Sequence, residues 1–198
     1  MEVDGAEQMK QKLLHKLNKR QGFSLTEMLA TVLIMGFVGI IITTGAATVQ
    51  RVYRKVVAHA NAQTALTTTI TLMKDQLAFA DPESITVSGT MISFQNLNSG
   101  EQTITLNPGS GTGTANRGFT LTYTAGDGTG TSSTTLPLLS DSAITSDLCV
   151  CFDTDADSGF SWDPATKVIT VTKLVAKDTR TDTVQARASF KVLLVNGK

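Results

Sequence analysis

Twenty consecutive residues, Met28 to Ala47 (MLATVLIMGFVGIIITTGAA), carry no charge. As a helix at ~1.5 Å per residue they extend about 30 Å, the thickness of a bilayer's hydrocarbon core. A cleaved secretory signal has a shorter apolar core followed by a small-residue cleavage site, whereas the helical pattern here continues. A single membrane span over 28–47 is therefore expected. Beyond it Val52, Val56, His59, Gln63, Leu66, Ile70, Met73 and Leu77 recur at alternating spacings of four and three, which traces one stripe along a helix. No proline lies between 23 and 81, and Asp81-Pro82 supplies the stop, because proline cannot continue the ladder and restricts the residue before it. The expected helix runs from about 24 to 80, roughly 85 Å at that rise. Half would lie in lipid, and half would present its stripe to something outside the membrane. His59, on the stripe, is read as a core-edge histidine with a satisfied hydrogen bond, since no second ligand accompanies it.

After Pro82 the period changes to two. Strands are expected near 84–88, 91–97, 101–106, 119–124, 148–152, 166–175 and 184–195, with NSG at 98–100 as a hairpin turn. The stretches 107–118 (NPGSGTGTANRG) and 125–135 (AGDGTGTSSTT) are rich in glycine. A phosphate-binding loop needs a strand before it and a helix after it. No helix follows either stretch, so both are assigned as surface loops. Residues 81–198 hold eight basic and twelve acidic residues, a balance of −4, which leaves no positive field for direct nucleic-acid contact. The region has no histidine, so neither a Ser/His/Asp nor a Cys/His set can be assembled there, and an enzyme is not expected.

Two features of this region bear on chemistry. Cys149 and Cys151 form a C-x-C pair. On a strand they share a face, but their Cα atoms sit about 6.5–7 Å apart, at or beyond the usual disulfide limit, so two buried free thiols are expected. Asp153, Asp155 and Asp157 alternate as in the opening of an EF-hand calcium loop, with Asp163 as a fourth candidate ligand. Ser158 stands where that loop has glycine, and Pro164 where it has its bidentate glutamate. The other reading is an acidic, solvated turn between strands. No cofactor is expected apart from calcium at this turn.

The run Lys19-Arg20-Gln21-Gly22-Phe23-Ser24-Leu25-Thr26-Glu27 resembles the processing motif of type IV pilins and pseudopilins: a basic leader ending in glycine, a hydrophobic first mature residue, a glutamate fifth in the mature chain and a long apolar helix. The resemblance covers about residues 10–80. It implies an α+β, pilin-like fold, in which a C-terminal antiparallel β-sheet packs on the outer half of the long helix. The division would be a leader peptide (1–22), the long helix (23–80) and a β-rich head (81–198). It implies cleavage between Gly22 and Phe23 by a prepilin peptidase, methylation of the new amine on Phe23, and assembly with other pilin subunits by a pilus assembly platform. The precursor would cross the inner membrane once with its N-terminus cytoplasmic, as the modest basic excess of the leader also favours. The filament would be periplasmic or extracellular. The stretch from Met9 (MKQKLLHKLNKRQG) has five basic residues and no acid, closer to the family's leaders than the longer form, so Met9 is the expected physiological start.

Glu27 is the residue that an apolar span does not explain. A charge in the membrane interior costs on the order of 2.5–3.5 kcal/mol, and such residues need a partner. In the family model Glu27 pairs with the Phe23 amine of a neighbouring subunit and sets the axial register. Rival readings are a membrane-anchored extracellular binding module that never polymerises, which needs neither Gly22 nor Glu27, and a pseudopilin of DNA uptake or type II secretion.

Overall fold

The computed structural model describes residues 24–96, 102–109, 117–126, 131–140, 144 and 147–195. The expected processing residues Gly22 and Phe23, the NSG turn, most of the first glycine-rich stretch and residues 127–130 of the second lie outside them. The fold is α+β: one long N-terminal helix and antiparallel sheets. The chain divides into two units, Met1–Tyr53 and Arg54–Lys198.

Helix α1 covers Leu25–Ala78. In the first unit it is bounded by Ser24, whose carbonyl accepts from the Glu27 and Met28 N–H groups at 2.9 and 3.1 Å. Polar side chains inside the apolar run are satisfied within the helix. Thr43 donates to the Gly39 carbonyl (2.7 Å), Thr44 to Ile40 (2.8 Å) and Thr48 to Thr44 (3.0 Å). No hydroxyl along 43–48 then needs water, a condition for residence in hydrocarbon.

In the second unit α1 buries Ala62, Ala65, Leu66, Thr69, Met73 and Leu77. Their offsets of three and four make a single face. Leu66, Met73 and Leu77 belong to the expected stripe. His59 and Gln63 do not enter the core and are exposed, as are Val52 and Val56. The face has rotated toward the small residues Ala62 and Ala65 and toward Thr69, whose hydroxyl donates to the Ala65 carbonyl at 2.8 Å. Small side chains let the packed sheets approach the helix, and a threonine that bonds its own backbone is compatible with burial.

Instead of one sheet, the described residues form two. The first is an antiparallel meander of β1 (Thr86–Ser88), β2 (Met91–Gln95), β3 (Thr103–Asn107), β4 (Thr120–Gly126) and β5 (Thr131–Pro137). Its inner face stacks Ile92 opposite Leu106, Phe94 opposite Ile104 and Leu106 opposite Leu121. Its outer face is a hydroxyl ladder, with Ser93 and Thr105 at 2.9 Å and Thr122 and Thr135 at 3.1 Å. Period-two alternation thus sends branched apolar side chains inward and hydroxyls outward. Strand β5 falls on the serine- and threonine-rich half of a stretch expected to be a loop.

The second sheet is built on β8 (Val168–Asp178). One edge of β8 pairs with β6 (Leu148–Phe152) and β7 (Gly159–Asp163) end to end, and the other pairs with β9 (Thr183–Leu193). Strand β7 falls in none of the segments expected to be strands. It carries Phe160 and Trp162 toward the core and Ser161 and Asp163 outward. The β8–β9 register shifts twice, between Val171 and Leu174 and between Ala176 and Lys177. At the first shift Lys173 has φ +56°, the signature of a bulge that re-aims neighbouring side chains. Leu174, Val175 and Ala176 are consequently all buried.

The two sheets meet over α1. Phe119 and Phe152 stack edge-on at 5.3 Å, and Phe152 and Phe160 at 5.1 Å, a geometry aromatic quadrupoles favour. The Phe160 N–H donates to the Gly89 carbonyl at 3.2 Å, and the Val195 N–H to the Ala78 carbonyl at 2.9 Å, which closes the C-terminal end of β9 onto the end of the helix.

Candidate assembly and anchoring site

Glu27 is in the first turn of α1 and is exposed. An acid there is favoured by the unpaired N–H groups and positive dipole of a helix start, by about 0.3–1 kcal/mol at an exposed position. Ser24 and Glu27 also have the S-x-x-E spacing of a capping box, a signal for the helix start. The Ser24 hydroxyl, however, lies 2.7 Å from the Thr26 hydroxyl. From Leu25 through Val57 every side chain of α1 is exposed, including Leu25, Met35, Val32 and Ile41 at 82, 76, 71 and 68%. The helix is long and apolar enough to cross a membrane. An apolar surface of this extent is far beyond what a water-facing helix carries, and it requires lipid or other protein against it.

The four aspartates expected to share a cation do not converge. Asp153 pairs with Arg187. Asp155 accepts from the Lys173 ammonium at 2.9 Å. Asp157 is exposed. Asp163 stands at the far end of β7, some 13 Å along a five-residue strand at ~3.3 Å per residue, and accepts from Thr166 Oγ1 at 2.6 Å and the Ala165 N–H at 3.0 Å. Ser158, where a calcium loop has glycine, closes the turn by donating toward the Asp153 and Asp155 carbonyls. Among the described residues no group of three or more acidic, histidine or cysteine side chains is arranged to hold a metal. The turn is organised by cations from β8 and β9.

Those ion pairs carry a pH signature. The hydrogen bond from the Lys173 ammonium holds the Asp155 carboxyl below its ordinary range, and the same bond raises Lys173. A carboxyl depressed on folding stabilises the fold above its unfolded pKa, and that contribution is lost as pH falls through the folded value. A raised lysine contributes below its unfolded pKa and loses the contribution as pH rises through its folded value. The pair therefore supports the turn across neutral pH and releases it at both acid and alkaline extremes. Replacing Lys173 by methionine is expected to move the Asp155 titration up toward the ordinary carboxylate value, read from its carboxyl carbon shift. An unchanged titration would mean the pair does not form in solution.

Cys149 and Cys151 are both free thiols. They lie on the face of β6 opposite Leu148, Val150 and Phe152, with Cys149 across from Lys177 and Cys151 across from Val175. Cys149 is buried and Cys151 half-buried. The neighbouring Cys151 thiol, together with burial, pushes Cys149 up, and the same interaction, aided by the Lys177 charge, lowers Cys151 despite its burial. Lys177 is itself raised by its bond to Asp182 at 2.6 Å.

The Gln63 amide nitrogen donates to His59 Nε2 at 3.0 Å, so the histidine's hydrogen bond is local, although it is not at the core edge. It borders an open groove of about 500 Å³ between α1 (His59, Gln63, Leu66) and β9 (Gln185, Arg187). No protein-family model, no characterised protein and no solved structure matches the chain.

Proposed function

We propose that the chain is a structural subunit, major or minor, of a type IV pilus or a related pseudopilus. It is processed between Gly22 and Phe23 by a prepilin peptidase and assembled with other subunits through α1. One observation carries the reading: a glutamate set in the first turn of a helix, followed by twenty charge-free residues and preceded by Lys19-Arg20-Gln21-Gly22-Phe23. A simple anchor gains from a carboxylate at that point only the helix-start contribution of about 0.3–1 kcal/mol, against a cost that rises the deeper a charge lies in lipid. A subunit whose first residue becomes a free amine four positions earlier gains a partner for it. The exposed apolar length of α1 supports the reading, because it serves lipid before assembly and neighbouring helices afterwards. Until assembly the subunit stays in the inner membrane with its β-rich head on the outer side, and the pilus assembly platform then draws it into the filament.

The experiment is the N-terminal mass of the protein recovered from its native membranes. A chain beginning at Phe23 with one added methyl group is expected. A chain retaining residues before Gly22, in cells with an active prepilin peptidase, would reduce the motif to coincidence and leave a membrane-anchored module that does not polymerise.

A further inference from the structure

The thiol pair on β6 is not used by the reading above, and its surroundings are unusual for a structural cysteine. Three observations bear on it. First, Cys149 and Cys151 are both free thiols two residues apart on β6, so they project from one face of one strand. Second, access is graded: Cys149 is 1% exposed, whereas Cys151 is half-buried. Third, β6 is short: among the described residues it pairs only with β8, over five residues. The partner segment Leu174–Ala176 is bounded on both sides by register shifts in the β8–β9 ladder. On the free edge of β6, the residue between the cysteines, Val150, donates its N–H to the Arg117 carbonyl at 2.8 Å. Arg117 lies just ahead of β4, so this bond ties the second sheet to the first.

We infer that Cys149 and Cys151 form an oxidative modification site whose co-reactant is a small-molecule disulfide, with Cys151 as the attacking thiol and Cys149 as the resolving one. In the first step the Cys151 thiolate attacks one sulfur of the disulfide R–S–S–R, forms the Cys151–S–S–R bond and expels RS⁻, which takes up a proton. In the second step Cys149, losing its proton, attacks the Cys151 sulfur and expels the second RS⁻, which takes up that proton. The dithiol is oxidised by two electrons, and the small disulfide is reduced to two thiols. The order follows from access, since the half-buried Cys151 sulfur is the one a small disulfide can reach while Cys149 is 1% exposed. The product closes a ring of three residues. Strand geometry holds the two Cα atoms at about 6.5–7 Å, whereas disulfides prefer shorter separations. The strand must therefore pucker at Val150, and the Val150–Arg117 bond is the contact this breaks. A strained bridge of this kind is readily reduced, so the site cycles rather than locks, and the link between the sheets follows the redox state.

The test uses the full chain in detergent, incubated with oxidised glutathione and analysed by intact mass and peptide mapping. The wild type is expected to lose two hydrogens through a Cys149–Cys151 bridge, and dithiothreitol should restore them. Cys149→Ser should accumulate one glutathione adduct at Cys151, because nothing resolves it. Cys151→Ser should stay unmodified while folded. Amide exchange at Val150 should accelerate on oxidation of the wild type and not in either variant. Adducts that accumulate in the wild type without closing, first modification at Cys149, or no reaction short of unfolding would each overturn the inference.

Discussion

Replacing Glu27 by alanine is expected to remove the subunit from sheared filaments while leaving the chain in the membrane. The two parts of that result have separate causes. In the membrane Glu27 is a liability: a charge costs on the order of 2.5–3.5 kcal/mol at the bilayer centre and less toward the interface, and the helix start returns only about 0.3–1 kcal/mol of it. Alanine removes the cost and is a better helix former, so insertion should not suffer. In the proposed filament, by contrast, the Phe23 amine would lose its water-free partner. Breaking a buried pair by deleting one member typically costs about 3–5 kcal/mol because the other charge is left unpaired. At about 1.4 kcal/mol per tenfold, that is on the order of a hundred-fold loss of incorporation or more.

Glu27→Gln separates charge from capping, because it keeps an acceptor in the first turn. Failure of both variants to assemble would assign the effect to the carboxylate's charge. Assembly of the Glu27→Gln chain with failure of the Glu27→Ala chain would assign it to the helix start at Ser24. Normal incorporation of the Glu27→Ala chain would sink the pairing model. Immunoblots of sheared and membrane fractions, normalised to each other, supply the readout.

The length of α1 was legible because length and absence of proline do not depend on tertiary context. The expected span of 24–80 and the observed Leu25–Ala78 differ only at the ends. The buried face was legible only in part. Reading the stripe by spacing placed Ile70 correctly, partly buried against the core, but also selected the exposed His59 and Gln63, whereas packing against two sheets selected Ala62, Ala65 and Thr69, where small volume permits close approach. Hydrophobicity does not report that preference. The same bias hid β5. Its residues Thr131–Pro137 are serine and threonine apart from the exposed Leu136 and Pro137, and they follow glycines, so composition pointed to a loop. As an edge strand β5 needs no apolar face of its own, because β4 supplies the hydrogen-bond partners. Strand β7 was hidden by the aspartates on either side of it. Those aspartates suggested a shared cation because they are close in sequence. The intervening strand carries Asp163 away from Asp153, and lysine and arginine distant in sequence neutralise what sequence proximity had left repelling. Graded access to the thiols was likewise not visible, since it depends on the pairing of β6 with β8.

Gly159→Ala is expected to be the most damaging small substitution in the head. Gly159 opens β7 with φ +141°, a region essentially closed to other residues, and a Cβ built there would stand 2.6 Å from the Gly89 carbonyl oxygen. That oxygen is the acceptor for the Phe160 N–H at 3.2 Å. A methyl group must therefore either push β7 from the β1–β2 turn or twist residue 159 out of its conformation, and either movement breaks the bond. Backbone strain of this kind costs about 1–3 kcal/mol, and the lost bond adds about 0.5–1.5 kcal/mol. A destabilisation of roughly 2–4 kcal/mol follows from these two principles together. Gly89→Ala is the comparison. Its φ of +59° also favours glycine, but nothing lies within 4 Å of the added carbon, so only the left-handed backbone cost of roughly 1–2 kcal/mol applies. Trp162, the chain's single tryptophan, lies in β7 and reports its packing directly. Urea unfolding followed by its fluorescence should place Gly159→Ala well below Gly89→Ala, and Gly89→Ala below the wild type. Equal midpoints for the two variants would mean that β7 can slide from the turn at no cost, and that the T-stacked Phe119, Phe152 and Phe160 hold the two sheets together without this contact.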